Sequence, residues 1–243
     1  MKMFVFASRT TKEIIRDPLS LAFGIGFPVV LLLLLSAINR NIPVDLFNIE
    51  MLTPGIAVFG LSFMSLFSAQ LISKDRSSSL LSRLFTTPMT AKDYILGYTL
   101  PLVPMAFIQG VVCYVVAMFL GLEFSFSIIV SLLMLIPTSF IFIGIGLFCG
   151  TVFSEKAATS ICGALLTNLT AWLSGTWFDL NLVGGLFKTI AYYLPFVHAV
   201  DIGKAAASGQ YQDIFPHIWW VLGYGVVIFT IAVVVFKQRM KLD

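Results

Sequence analysis

Six long stretches without a single Asp, Glu, Lys or Arg limit what this chain can fold into: 18–39, 51–73, 94–122, 124–154, 157–178 and 214–236. A helix needs roughly 20 consecutive apolar residues to cross the hydrocarbon core of a bilayer, and each run reaches that length. Lipid offers no water to unpaired backbone groups, so such runs cross as helices. With 58% hydrophobic and 11% charged residues, the chain does not have the surface of a soluble domain, where about a quarter of residues are charged. The expected fold class is an all-α integral membrane protein with six transmembrane helices, forming a single transmembrane domain over residues 1–243.

An even number of crossings puts both termini on one side. Lys2, Arg9, Lys12, Arg16, Lys74, Arg76, Arg83, Lys92, Lys156, Lys237, Arg239 and Lys241 then share that side, leaving Arg40, Lys188 and Lys204 on the other. By the positive-inside rule the first side is cytoplasmic. The expected location is the inner (cytoplasmic) membrane, multi-pass, with both termini cytoplasmic. The first run is longer than the core of a signal peptide, and no small-x-small cleavage site follows it, so it reads as a retained span. Cys113, Cys149 and Cys162 all lie inside uncharged runs without metal-ligand spacing, and read as buried small apolar residues.

Three segments outside the runs carry information. Residues 3–17 are amphipathic, with Phe4, Ala7, Thr11, Ile14 and Ile15 on one face and Arg9, Lys12, Glu13 and Arg16 on the other, which suits an interfacial elbow helix. Residues 73–98 form the one sizeable polar loop between two runs on the basic side. Within it Leu80, Leu81, Leu84 and Phe85 share a helical face, and Thr87-Pro88 ends the helix. Residues 179–213 hold five charges around two apolar pieces too short to span, and read as outer re-entrant helices between spans 5 and 6, with Pro195 breaking the second piece. Gly146-x-x-x-Gly150 permits close helix approach, and packing within one chain is its expected use.

The chemistry is as informative for what it omits. No phosphate-binding glycine loop is present, and His198 and His217 stand in no metal or catalytic arrangement, so no enzyme activity, metal or cofactor is expected on this chain. No nucleic-acid partner is expected either. The runs carry no charge of the kind that ion-coupled carriers keep at membrane depth. Energy for any transport would therefore arrive from outside the bilayer, through the 73–98 loop, whose apolar stripe suits a docked soluble partner. The same stripe would also suit a helix lying on the membrane or packed against the amino-terminal helix. Gln70, Gln109, Asn168 and Trp172 are the polar or amphipathic side chains at membrane depth with which a substrate pathway could be lined.

The loop sequence Asp75-Arg76-Ser77-Ser78-Ser79-Leu80-Leu81-Ser82-Arg83-Leu84-Phe85-Thr86-Thr87-Pro88, followed by Tyr94-Ile95-Leu96-Gly97, resembles that of the permease subunits of type-2 ABC exporters. In that family the loop commonly reads Glu-Arg-Glu-x-Gly-Thr-Leu-Glu-Arg-Leu-x-x-Thr-Pro. Ser79 stands where the family often has Gly, and Ser82 where it often has Glu. Leu173-Ser174-Gly175 and Tyr193-Leu194-Pro195-Phe196-Val197-His198-Ala199 are similar to the family's segments around its outer re-entrant helices, which places Pro195 and His198 there. The resemblance implies a permease that pairs with a second one, identical or homologous, and with two copies of an ATP-binding cassette subunit that hold the ATP and Mg. Its coupling helix would dock on that subunit through Asp75, Arg76, Ser79, Leu80, Leu81, Arg83, Leu84, Phe85, Thr87 and Pro88. The exported substrate would be a drug, antimicrobial peptide or lipid-like molecule, with membrane lipid around the permease. An ATP-independent carrier or channel, or a membrane scaffold, is the alternative.

Overall fold

The computed structural model describes residues 2–41 and 48–240, and among them there is helix and turn but no strand. The first helix, α1 (Lys2–Ile15), buries Phe6, Ala7, Thr10 and Ile14 and leaves Phe4 and Ile15 exposed. Phe4 and Ile15, of the apolar face expected at the membrane interface, thus stay uncovered by the protein, and the side that packs on the bundle is centred on Phe6 and Thr10. The reason is tertiary: the Phe6 ring meets Tyr94 and Tyr98 edge-on, with centroids 5.5 and 4.8 Å apart, in a gap left by Gly97. After the Asp17-Pro18 break come α2 (Pro18–Leu21), a π-helical turn over Ala22–Gly26 and α3 (Phe27–Asn41). The π turn lies where Pro28 has no N–H to give the carbonyl of Gly24.

Helix α4 (Ile49–Ser77) opens on Asn48, whose side chain accepts from the Glu50 N–H at 3.0 Å. The short α5 (Leu80–Leu84) leads to α6 (Ala91–Phe119), which starts on a capping box between Thr90 and Asp93 and runs unbroken through Pro101 and Pro104. A turn at Leu120–Ser125 returns the chain as α7 (Phe126–Val152). Then follow α8 (Glu155–Ser160), a second π turn over Ile161–Leu166, and α9 (Thr167–Leu173). Three short helices come next, α10 (Leu180–Val183), α11 (Gly185–Tyr193) and α12 (Pro195–Ala207), before α13 (Ile214–Arg239). Pro195 falls in the first turn of α12, where its missing N–H costs nothing, so it divides the apolar piece as expected.

Five helices among the described residues are long and apolar enough to cross a membrane: Ala22–Asn41, Ile49–Ser77, Ala91–Phe119, Phe126–Val152 and Tyr211–Arg239. The run expected as the fifth crossing, 157–178, is helical only as far as Leu173, with the π turn in its middle and Asn168 exposed on it. Helix α4 is the centre of the bundle, packed against α3, α6, α7, α8 and α12 and buried for most of its length. Helices α3 and α13 lie at the edges, and carry exposed Val30, Leu33, Leu34, Val226, Val227 and Val234.

Gly146 and Gly150 are spent within the chain. A Cβ on Gly146 would lie 1.9 Å from Ser68 Oγ and 2.1 Å from the Ser65 carbonyl, and one on Gly150 would lie 2.5 Å from the Ala69 carbonyl. The α4 and α7 backbones therefore touch, and Ser68 Oγ donates across the seam to the Ile143 carbonyl at 3.1 Å. Gly146→Ala should push the two helices apart and cost about 1–3 kcal/mol. Gly223→Ala, at a site with nothing within 4 Å, should cost nothing. Apparent melting temperatures of the two variants in detergent separate the cases, and equal melting would remove the close contact from the account.

Candidate functional site

The end of the bundle that carries α1 and the end of α13 also carries the 78–90 loop, and one carboxylate organises it. Asp75, in the last turns of α4, is 2% exposed. It takes a two-pronged contact from Arg9 on α1, Nη2 donating to Oδ1 at 2.6 Å and Nη1 to Oδ2. The Tyr98 hydroxyl on α6 donates to Oδ2 at 2.7 Å. Hydrogen bonding to Asp75 first, and its charge second, hold the Arg9 guanidinium above its ordinary value against a burial that lowers it. Glu13 forms ion pairs with Arg9, 2.8 Å away on its own helix, and with Lys74 Nζ at 3.3 Å, so α1 and α4 are linked by two ion pairs, Arg9–Asp75 and Glu13–Lys74. Arg76 sends its guanidinium to the carbonyls of Thr151 and Phe153, groups that the end of α7 leaves without helical partners.

Ser79 is the hinge of the loop. Its φ of 58° is left-handed, a conformation that favours glycine, and it is the position where the exporter resemblance has glycine. Beyond it, α5 turns Leu81 into the chain's own core at 3% exposure. The Phe85 ring stands edge-on to Tyr94 and Phe236 at 5.8 and 5.9 Å. Leu80 and Leu84 stay half-buried, while Ser79, Arg83, Thr86 and Pro88 are exposed. The Tyr94 hydroxyl and Thr87 Oγ1 both donate to the Leu84 carbonyl, at 2.5 and 2.6 Å, and Lys2 Nζ reaches the Pro88 carbonyl at 3.2 Å. The expected docking set is thus divided. Asp75, Arg76, Leu81 and Phe85 face inward because the loop is short enough to lay the stripe against α6 and α13, and Ser79, Leu80, Arg83, Leu84, Thr87 and Pro88 form the outer ridge. The part played by Arg9 and Tyr98 escaped sequence reading, since pairing across spans leaves no local spacing; Asp75 as a carboxylate in a basic loop was the only signal.

At the opposite end, His198 is 5% exposed, its ring stacked on Trp220 at 4.9 Å and 10°. Its Nε2–H donates to the Tyr192 carbonyl at 3.0 Å, which leaves Nδ1 to accept from His217 Nδ1 at 2.7 Å. His217 Nε2 then faces Asp201 Oδ2 at 3.9 Å. Lys204 Nζ donates to the Gly175 carbonyl at 2.7 Å. Burial raises the Asp201 carboxyl and lowers the Lys204 ammonium from their ordinary values. Sequence reading placed Pro195 and His198 here but did not pair His198 with His217.

The expected pathway residues do not converge. Gln109 is wholly buried, its Nε2 3.3 Å from Cys113 Sγ and its Oε1 without a partner among the described residues. Gln70 lines a groove between α1 and α4. Asn168 and Trp172 lie exposed on α9, Asn168 Nδ2 donating to the Ala164 carbonyl at 2.8 Å. Cys113, Cys149 and Cys162 are free and buried, and no group of three metal ligands exists among the described residues.

Long apolar helices knitted by backbone contact define a multi-pass helical membrane protein. More narrowly, the chain belongs to the ABC-2 type transporter family, whose family model matches residues 1–206. It is a permease component of an ABC transporter, a transport rather than a catalytic domain, from a family that generally works with an ATP-binding subunit. No curated protein matches the chain.

Two outcomes follow from these contacts. Arg9→Ala leaves the buried Asp75 carboxylate without its counter-ion and should cost about 3 kcal/mol, more than Asp75→Asn, which keeps a neutral hydrogen-bonding group in place. Thermal unfolding in detergent gives the order, and a larger loss for Asp75→Asn would contradict it. Burial holds His198 below the ordinary histidine value of 6.5, so its neutral ring contributes stability in full above that value, and the contribution is lost as pH falls toward the lowered one. Amide exchange over 195–207, corrected for intrinsic rates, should show protection falling between about pH 7 and about pH 5, and less so in His198→Phe. Protection equal at both values would refute it.

Proposed function

We propose that this chain is the membrane-spanning half of an ATP-driven exporter. It works as a dimer of permeases, identical or homologous, with two separate ATP-binding subunits docked in the cytoplasm on the ridge between α4 and α6. The observation that carries this reading is the ridge itself: Ser79, Arg83, Thr86 and Pro88 are exposed, with half-buried Leu80 and Leu84 between them, on a loop bonded to the rest of the fold. Family membership supports the ATPase partner, and twelve of the 15 Lys and Arg on one side support the cytoplasmic placement of the ridge and both termini. In this reading residues 155–173 complete a sixth crossing, α1 is the elbow helix, and α10 to α12 re-enter the membrane from outside.

The internal bonds give the ridge a way to act. A push on α5 reaches α6 through Leu84 and Tyr94, α13 through Phe85 and Phe236, and α4 through Leu81 in the core. From α4 it reaches α1 through Arg9 and α7 through Arg76. Closure of the ATPase pair would then tilt these helix ends together and switch access from one face to the other. The exported molecule is a drug, antimicrobial peptide or lipid-like compound; Asn168 and Trp172, exposed on α9, are the proposed contacts at the permease–permease seam, and the buried Gln109 would join them only through a rearrangement.

Arg83→Glu, an exposed change that leaves the loop fold intact, should weaken co-purification with the ATP-binding subunit at least tenfold, and Leu84→Asp should abolish it. Both variants should still reach the membrane. Undiminished association of both would sink the docking assignment.

A further inference from the structure

A groove of about 1040 Å³ opens between α1, α2 and α4, at the upper end of the roughly 300–1000 Å³ typical of small-molecule sites. Its floor is apolar and buried, made by Ile14, Phe67 and Leu71. Its mouth is flanked by the exposed Phe4 and Val5, side chains of α1 that suit the acyl boundary of a bilayer. The rim holds four cations, Arg9, Lys12, Arg16 and Lys74, against two carboxylates, Glu13 and Asp17.

The state of those charges decides what could sit there. Arg9 is committed to Asp75 and Glu13, and Glu13 is shared between Arg9 and Lys74. The Asp17 carboxylate accepts from the Ser20 hydroxyl at 2.6 Å and from its N–H at 3.2 Å. Lys12 and Arg16 are exposed and make no ion pair with a described carboxylate. Lys74, 63% exposed, has donors to spare beyond its single contact with Glu13. The Gln70 side-chain amide faces the same space and makes no hydrogen bond among the described residues. An occupant must therefore bring an apolar chain for the floor and negative oxygens for the rim. A cationic or zwitterionic amphiphile answers only half of that description.

We propose that this groove binds an anionic glycerophospholipid, one acyl chain lying on Ile14, Phe67 and Leu71 and the phosphate held by Lys12, Arg16 and Lys74. The lipid would then form part of the joint between α1 and α4, beside the Arg9–Asp75 pair. This site goes beyond the export reading and does not depend on it, because lipid binding by the full chain alone needs no ATP-binding subunit.

The test uses the full chain purified in detergent and exchanged against mixed micelles containing phosphatidylglycerol and phosphatidylcholine, with bound lipid read by native mass spectrometry. Phosphatidylglycerol should be retained preferentially. Lys12→Gln/Arg16→Gln should lose about 30-fold of that retention, each cation near an anionic headgroup being worth roughly fivefold, while phosphatidylcholine retention stays unchanged. Size-exclusion and melting profiles confirm that the variant is folded. A photoreactive acyl chain on phosphatidylglycerol should label peptides of α1 and α4. Equal retention of the two lipids, unchanged retention by the double variant, or labelling confined to other helices would overturn the proposal. So would full displacement by inorganic phosphate, which would mark a site for the free anion, or crosslinking of a second copy of the chain into the groove.

Discussion

A carboxylate that folding takes out of water has to be compensated by its partners, and Asp75 draws them from two other elements of the chain. A guanidinium from α1 and a phenol from α6 converge on it at the end of α4. Neither partner can be withdrawn without leaving charge in a low-dielectric place, so the contact fixes where α1 lies against the bundle. Phe6 adds to this by seating its ring between Tyr94 and Tyr98. The amino-terminal helix is therefore a structural member of the basic end, held by ion pairs to Asp75 and Lys74 and by the contact of Phe6 with two tyrosine rings.

Within the bundle the governing constraint is backbone approach. Between helices in lipid there is no hydrophobic gain to drive association, so contact relies on small residues and on hydrogen bonds across the seam. Gly146, Gly150 and Ser68 supply both where α4 meets α7. A second seam runs from the Tyr114 hydroxyl to Ser131 Oγ at 2.6 Å and from Ser131 to the Gly203 carbonyl at 3.0 Å, joining α6, α7 and α12. In this way α12 at the far end is tied through α7 to α6, which also receives the loop at the basic end.

Charge-free run length made most of the helices legible in the sequence, because length against bilayer thickness is a constraint that needs no tertiary knowledge. The break at Pro195 was legible for a similarly local reason, a missing N–H. The loop was visible as a loop, and its apolar stripe as a stripe, but not which way the stripe turns. Leu81 and Phe85 obey the same periodicity whether the face covering them belongs to this chain or another, and only the position of Phe236, at the other end of the sequence, decides it. Which side of α1 packs on the bundle was hidden on the same ground, since amphipathicity marks an apolar face without saying whether lipid or protein covers it, and Gly97 leaves the room that Phe6 fills. Pairing between His198 and His217 depends on how α12 meets α13, which no spacing encodes.

The division of the loop into inward and outward side chains separates two tasks that sequence alone merges. In the proposed assembly, recognition of the ATP-binding subunit can use only what is exposed: the polar ridge of Ser79, Arg83, Thr86 and Pro88, with the half-buried leucines between. Transmission, in the proposed assembly, belongs to the buried set, because a side chain already packed against α6 and α13 moves them without first having to close a gap. The left-handed turn at Ser79 is consistent with this, since it bends the chain sharply enough for one short helix to face both ways. In that assembly, substitutions on the exposed ridge change what the partner meets, while Leu81, Phe85 and Tyr94 stay constrained by their own packing.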